Sequence, residues 1–501
     1  MTLEEILAVE DIGKRIQLLK EYRRSPKPNV KDLKKMWNPE EHDVMNPSIR
    51  KKRRVLVTEA EMDEDGNVIK PAVYQEEDVN RIALPIEQEI VNLHTAFTVG
   101  KDPTISFVSN NKKEDNLYSV IQAINRDNKI RYHNKRVVRS WFSEEEVVEY
   151  WYTKGGTGFW SKIAAKISGL FGQVRPEKKL RCAIWSPFRG DTLYPFYDDK
   201  GDLLAQSREY QTRDWSLSGV RTVTYFQTVT DTSVYLWKMV DGQWVEVPDE
   251  CFEHKLGKLP CIYMPKTEAL CKKIRPLRKR LEKVLSDYGD CIDYHFFPYL
   301  ILKGELAGPA GLGNQDERRR QIKIEDGADA YYLTWDQVPD AIKLEITTLF
   351  ENIYGLTDTP RITFENLKGV GNAVSGESFR YVFMAMLFAV DKHAETVGEF
   401  LQRRYNFLVA AVGELCSSLK SASESIDLNV EVTPYTIDSL SDKLDNASKA
   451  IDAKLLSRKS GMMFVGMTDR VDEEIEQIEK EKETDAESEP QPKQKPGEGE
   501  K

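Results

Sequence analysis

The chain has 501 residues, enough for roughly two to four domain-sized units with real cores. Its 40% hydrophobic and 31% charged content and formal net charge of −10 describe a soluble protein that does not grip nucleic acid over its whole surface. No apolar run approaches the roughly 18 residues a membrane span needs. The acidic opening Met1-Thr-Leu-Glu-Glu-Ile-Leu-Ala is unlike a basic secretory leader, so a cytoplasmic origin is expected.

The cysteines (Cys182, Cys251, Cys261, Cys271, Cys291, Cys416) are scattered without a C-x-x-C pair, and reduced thiols are expected. Cys251, His254 and Cys261 come closest to a metal spacing, but a fourth ligand is missing. No metal and no cofactor are expected.

In chain order, Leu3, Ile6, Leu7, Ile12, Ile16 and Leu19 predict one amphipathic helix over 3–19. The basic run Arg50-Lys-Lys-Arg-Arg54 leads into the strand-like Val55-Leu-Val57, which favours a solvated strand flank over a nucleic-acid patch. Asp65-Gly66 predicts a hairpin turn before Val68 and Ile69. Ile82, Leu84, Ile86, Ile90, Leu93 and Phe97 predict a helix over 80–99, and further helical patterns fill 115–140.

Between 146 and 248 the segments Val147-Val-Glu-Tyr-Trp-Tyr152, Cys182-Ala-Ile-Trp185, Val223-Thr-Tyr-Phe226 and Val234-Tyr-Leu-Trp-Lys-Met239 predict strands. Turn signals at Lys200-Gly201 and Asp241-Gly242 separate some of them, giving an α+β body with antiparallel sheet. An insertion at 155–176 carries Trp160, Ile163, Ile167, Leu170 and Phe171 on one helical face; it reads as a packed or partner-facing piece in preference to a membrane-surface helix.

Pro276 suits the first turn of a helix striped by Leu277, Leu281, Leu285 and Tyr288. Its other faces carry Lys272, Lys273, Arg275, Arg278, Lys279, Arg280 and Lys283, opposed locally only by Glu282. Two readings of this basic cluster stand equal: a solvated helix face, and a surface near nucleic acid. Residues 296–337 form a compact α/β insert, and a second helix after Pro339 shows Ile342, Ile346, Leu349, Ile353 and Leu356 on one side. The pattern is a stalk carrying a tip.

A glycine-rich stretch, Asn366 to Arg380, precedes the longest periodic segment, striped by Phe379, Phe383, Met386, Val390, Ala394, Val397, Leu401, Leu408 and Val412. At 1.5 Å per residue, 377–415 is a helix on the order of 55 Å long. A strand over 426–432 and helical patterns from Asp438 follow, and the Glu/Lys/Gln/Pro-rich composition beyond Asp472 predicts disorder.

Tests for chemistry fail. Gly371-Asn-Ala-Val-Ser-Gly376-Glu377-Ser378 fits the phosphate-loop frame, except that Glu377 stands where a phosphate-neutralising lysine is required. There is no G-x-S-x-G, no H-E-x-x-H and no clustered carboxylate set, and the histidines are isolated from one another along the chain. No catalytic residue is named and no enzyme is expected.

The order of elements is specific where single motifs are not. The α+β body, "HKLGKLPCIYMP" at 254–265, the helix with Asp287-Tyr-Gly-Asp-Cys-Ile-Asp293, the strand ending Leu-Lys-Gly304, the small insert, the second helix, the loop with Ser375-Gly376 and the long helix with Leu401-Gln-Arg-Arg404 together resemble tailed-bacteriophage portal proteins, over about Asn80 to Glu483. The resemblance implies a portal fold assembled as a dodecameric ring: an α+β wing (1–265, insertion about 155–176), stem helices (266–295 and 338–356), an α/β clip (296–337), a tunnel loop (357–376), a long channel-side helix and returning wing strand (377–437), an α-helical crown (438–480) and a disordered acidic tail (481–501). The 155–176 insertion lies outside the core pattern.

It also implies a virion protein, made in the bacterial host cytoplasm, at a unique capsid vertex. Double-stranded DNA would pass transiently, without sequence specificity, driven by the terminase large subunit. Further implied partners are the major capsid protein, scaffold and head-completion or adaptor proteins, with no membrane. Asn366, Lys368, Asn372 and Ser375 become tunnel-loop candidates, Lys272, Arg275, Lys279 and Lys283 stem candidates, and Arg318, Arg319 and Arg320 clip candidates for partner binding. The alternatives are another virion structural or interaction protein and, further off, a DNA-processing enzyme.

Overall fold

The computed structural model describes residues 1–58, 60–62, 68–155, 178–216, 219–295, 299–303, 329–333, 339–361, 383–435, 440–466 and 471–488. The turn expected at Asp65-Gly66, the body of the 155–176 insertion, most of the clip and the tunnel loop from 362 onward lie outside them. The chain divides into one unit of Met1–Arg361 with Ala385–Tyr435, and another of Ile362–Met384 with Thr436–Lys501.

In the first unit, an antiparallel meander runs Thr192–Tyr197, Leu203–Ser216, Gly219–Thr230, Ser233–Val240, Gln243–Glu246, with Phe252–Glu253 pairing back on Ser233–Val234. The Asp241-Gly242 turn closes one hairpin with positive φ at both residues (49° and 81°), the combination a two-residue type I′ turn requires. The N-terminus covers this sheet with two helices, Leu3–Leu7 and Ile12–Glu21, where one was expected. The break lies at Asp11, whose carboxylate accepts from the Gly13 and Lys14 amides and so starts a new helix. Ile6, Ile16 and Leu19 pack on Tyr194, Phe196, Phe226 and Trp237.

A three-stranded sheet, in the order Cys261–Pro265, Glu146–Gly155, Lys178–Trp185, stands between the meander and a helical layer. Its middle strand is buried on both faces: Val147 and Trp151 belong to the helical core, Val148 and Tyr150 to the cluster shared with the meander. The helices are Ile86–Val99, Lys112–Asp127, Ile130–Glu144 and the long Met384–Leu415. Its 32 described residues make the last about 48 Å long. Leu428–Glu431 returns to pair antiparallel with Thr104–Phe107.

The helix expected over 80–99 begins only at Ile86. Residues 80–84 instead run extended along the helix Arg275–His295. The amides of Asn80, Ile82 and Leu84 donate to Asp290, Ser286 and Glu282 at 2.7, 2.9 and 2.9 Å. Two residues of extended chain advance about 6.6 Å and four of helix about 6 Å, so alternate amides meet every fourth helical side chain. Gly289 eases the approach, since a Cβ there would sit 3.3 Å from the Asn80 side-chain amide, which would have to give by a few tenths of an ångström.

The second unit contains helices Leu440–Asp452, Arg458–Val465 and Val471–Ser488. The last corrects the expectation of disorder beyond Asp472 and of a tail from 481: the helix continues to Ser488. Glu, Lys and Gln are good helix formers, and Val471, Ile475 and Ile478 at i, i+4, i+7 give that segment one apolar edge.

Candidate functional site

The helices Arg275–His295 and Pro339–Leu356 pack on each other, Leu281, Leu349 and Ile353 joining the main core. Between them in sequence, Tyr299–Lys303 pairs antiparallel with Asp329–Leu333. The described residues thus run helix, strand, strand, helix in the order that the sequence suggested.

The basic cluster on the first stalk helix is largely neutralised by acids from other parts of the chain. Lys272 pairs with Glu145 (3.3 Å), Lys273 with Glu268 (3.2 Å), Arg275 with Asp32, Lys279 with Asp43 (2.5 Å) and Arg280 with Glu345 (2.7 Å). The Arg275 hydrogen bond lowers the Asp32 carboxyl. Burial pushes Asp43 up, but hydrogen bonds from Lys279 and Lys35 outweigh it and hold the group at about 2. Of the four stem candidates, Lys272, Arg275 and Lys279 are thus ion-paired, while Lys283 is exposed and has no carboxylate partner among the described residues. Asn366, Lys368, Asn372 and Ser375, and Arg318, Arg319 and Arg320, lie outside the described residues.

Arg278, read as part of the helix's polar surface, is instead fully buried. It donates to Glu87 and Glu282, each at 2.7 Å, and Glu282 also accepts from His42 Nδ1 at 2.6 Å and from the Leu84 amide. Burial raises the Glu87 carboxyl despite Arg278 beside it, and its Oε2 has no hydrogen-bond partner. Further along, Arg50 reaches both Asp287 and Asp290, and the Asn80 side-chain amide donates to Asp293 at 2.5 Å. The carboxylates of Asp287-Tyr-Gly-Asp-Cys-Ile-Asp293 are therefore fasteners for the segment between Arg50 and Leu84.

A second buried network holds the long helix to the sheet. Arg404 makes a two-pronged contact with Glu149 (2.8 and 2.5 Å) and donates to Asn134 (2.6 Å); Glu149 also accepts from His133 Nε2 (2.8 Å) and Trp151 Nε1 (2.6 Å). His133 Nδ1 lies 3.6 Å from Cys182 Sγ, which completes a Cys–His–Glu line. It is not set up as a nucleophile: burial, reinforced by the Glu149 charge, pushes the thiol up to about 12, and Asn128 Oδ1 accepts the S–H.

His94 and His393, isolated in sequence, meet in the core at 3.2 Å. His94 Nε2 must donate, because it faces the Thr357 carbonyl at 2.9 Å; Nδ1 then accepts from His393 Nε2. Burial lowers both rings, to about 4 and about 3, so the pair is neutral at pH 7. It fixes Thr357 and Thr359, at the start of the expected tunnel loop, between the Ile86–Val99 helix and the long helix. The Cys251/His254/Cys261 spacing does not gather a metal site: both His254 nitrogens are used by backbone, at Thr230 O and Leu256 N. Among the described residues no group of His, Cys, Asp and Glu is arranged to hold a metal, and no helix is long and apolar enough to cross a membrane.

A family model described as "Phage portal protein, SPP1 Gp6-like" matches residues 26–488. The chain belongs to this family, one of virion structural proteins. No curated protein matches the sequence. Solved structures similar to it are the neck of an empty GTA particle computed with C6 symmetry (10% identity, TM-score 0.40, 77% of this chain and 90% of that chain covered) and the neck of a native GTA particle computed with C12 symmetry (11%, 0.36, 77% and 90%). A third is the virion of a native gene transfer agent particle (9%, 0.34, 76% and 89%).

Proposed function

We propose that the chain assembles as a dodecameric ring at one capsid vertex and forms the channel through which double-stranded DNA enters, driven by the terminase large subunit, and later leaves. The observation that carries this reading is the family match over 26–488, joined to the cancelled charge of the stalk. A channel that bound each phosphate tightly would hold the DNA it must pass. An acidic protein whose stem lysines and arginines are mostly paired presents few such contacts, and in a ring a single unpaired lysine such as Lys283 becomes a belt of charge.

In this reading 1–265 is wing, 266–295 and 338–356 stem, 296–337 clip, 357–376 tunnel loop, 377–437 the channel-side helix and returning wing strand, and 438–480 crown. The clip, with Arg318 to Arg320, meets terminase during packaging and head-completion proteins afterwards; the wing faces capsid and scaffold. Asn366, Lys368, Asn372 and Ser375 touch the passing duplex.

Lys368→Glu is expected to leave rings intact by negative-stain microscopy and to lower packaged or retained DNA severalfold. Packaging and retention equal to wild type would remove the loop from the DNA path.

A further inference from the structure

The described residues of the segment 53–77 form an arm with no buried core among them. Among the described residues, Arg53–Thr58 pairs only with Val73–Glu77, and Glu61–Met62 only with Val68–Lys70. Among the described residues, none of the arm joins the hydrophobic clusters of the rest of the fold. Leu56, Val57, Val68, Ile69, Val73 and Tyr74 are 45–61% exposed, and among the described residues no further strand pairs with the ribbon's outer edges. A two-stranded ribbon is at best marginally stable in water, and open edges with apolar side chains attract another chain. Yet the arm is firmly rooted: Arg50 before it and Asn80 after it are both tied to the Arg275–His295 helix.

The arm's charge narrows the choice of partner. Residues 53–77 contain seven Asp and Glu against three Lys and Arg. The arginines are engaged inside the ribbon: Arg53 pairs with Glu77 at 2.8 Å, and Arg54 stacks over the Tyr74 ring at 4.9 Å. The arm is therefore unsuited to DNA and suited to a basic protein surface with apolar content.

The same chain carries one. A cavity of about 390 Å³ is lined by Arg126, Lys129 and Arg131 together with Tyr118, Tyr132 and Tyr405. Asp102 also lines it, weakly paired with Arg131 at 3.9 Å. Arg126, Lys129 and, further along the helix, Lys135 and Arg136 have no carboxylate partner among the described residues. Tyr132 is 60% exposed, so the surface offers rings as well as charge.

We propose that the arm of one copy docks on the basic, tyrosine-lined face of residues 126–136 in the neighbouring copy. This rests on the ring reading above. Two different patches meet, a head-to-tail contact that closes into a ring when the rotation suits it.

A photo-crosslinking residue at Ile69, placed in full-length protein assembled into particles, tests the contact. The expected product is a covalent pair of this chain with the second attachment mapped to residues 126–136. Attachment to another segment, to a different virion protein or to DNA overturns the proposal, as does absence of a crosslinked pair in formed rings. In parallel, Arg126→Glu with Arg131→Glu, or Glu61→Lys with Glu76→Lys, is expected to raise the concentration needed for half assembly about tenfold, with the two pairs combined in one chain restoring it. Unchanged assembly in both half-swaps, or no recovery in the combination, also overturns it. If the unaltered chain forms no rings, the portal-ring reading fails; if rings form without these effects, only the arm contact fails.

Discussion

Arg404→Ala is expected to destabilise the first unit by about 3–5 kcal/mol, read as a lower denaturant midpoint at unchanged slope. The guanidinium is fully buried and supplies two of the four hydrogen bonds that Glu149 accepts. Removing it leaves the Glu149 carboxylate in the core with only the hydrogen bonds from His133 and Trp151. Replacing both members, Arg404→Met with Glu149→Leu, should cost less than the single change, because the stranded charge is what makes the single change severe. Acid should mimic the lesion. Burial pushes Glu149 up, but the Arg404 charge and the His133 hydrogen bond outweigh it and hold the group at about 2, below its ordinary 4.5. Its contribution is complete above about 4.5 and is lost as pH falls toward about 2. The Glu149→Leu double variant should lack that component of acid sensitivity; an unchanged acid profile would show that the pair does not anchor the long helix.

The second large effect is expected at Arg278. Arg278→Met leaves Glu87 and Glu282 together in the core, again a loss of about 3–5 kcal/mol. Here the sign of the pH effect is opposite. Burial raises the Glu87 carboxyl even in the native protein, so the folded state favours its protonated form, and that preference is felt most at low pH and lost as pH rises. Without Arg278 the preference grows. The deficit of Arg278→Met relative to wild type, measured by denaturant titration, should therefore shrink between pH 7 and pH 5, and Glu87→Gln in that background should recover part of it at pH 7. A deficit that widens on acidification would contradict the arrangement. Because Glu282 also receives the Leu84 amide and His42, the same variant should loosen residues 80–84 from the stalk, visible as faster amide exchange there.

Much of this was legible in the sequence, and the misses have physical causes. The strands between 146 and 248 and the stalk helices carried strong periodicity and turn chemistry. The boundary at Ile86 was missed because Ile82, Leu84 and Ile86 are spaced by two while Ile86, Ile90, Leu93 and Phe97 are spaced by three and four; the change of period at Pro85 marks where extended chain becomes helix. The basic cluster at 272–283 looked unopposed because its partners Asp32, Asp43, Glu87, Glu145 and Glu345 are distant in sequence, and local charge counting does not find them.

Two buried residues did leave a trace. Arg404 falls on the apolar stripe between Leu401 and Leu408, and Glu149 sits mid-strand between Val147 and Trp151; a charge at a core position implies a counter-charge. The His94–His393 contact left none, since nothing local couples residues from two helices so far apart. The helix over 471–488 was hidden by low hydrophobicity, although its residues are individually good helix formers.

The proposed function requires a ring of identical subunits around a channel. Native mass spectrometry of the purified full-length protein, with negative-stain imaging of the same sample, tests it most directly. The expected species is closed, with twelve times the 57.6 kDa chain mass and a central hole wide enough for a DNA duplex; a monomer, or an assembly without an axial channel, would overturn the ring.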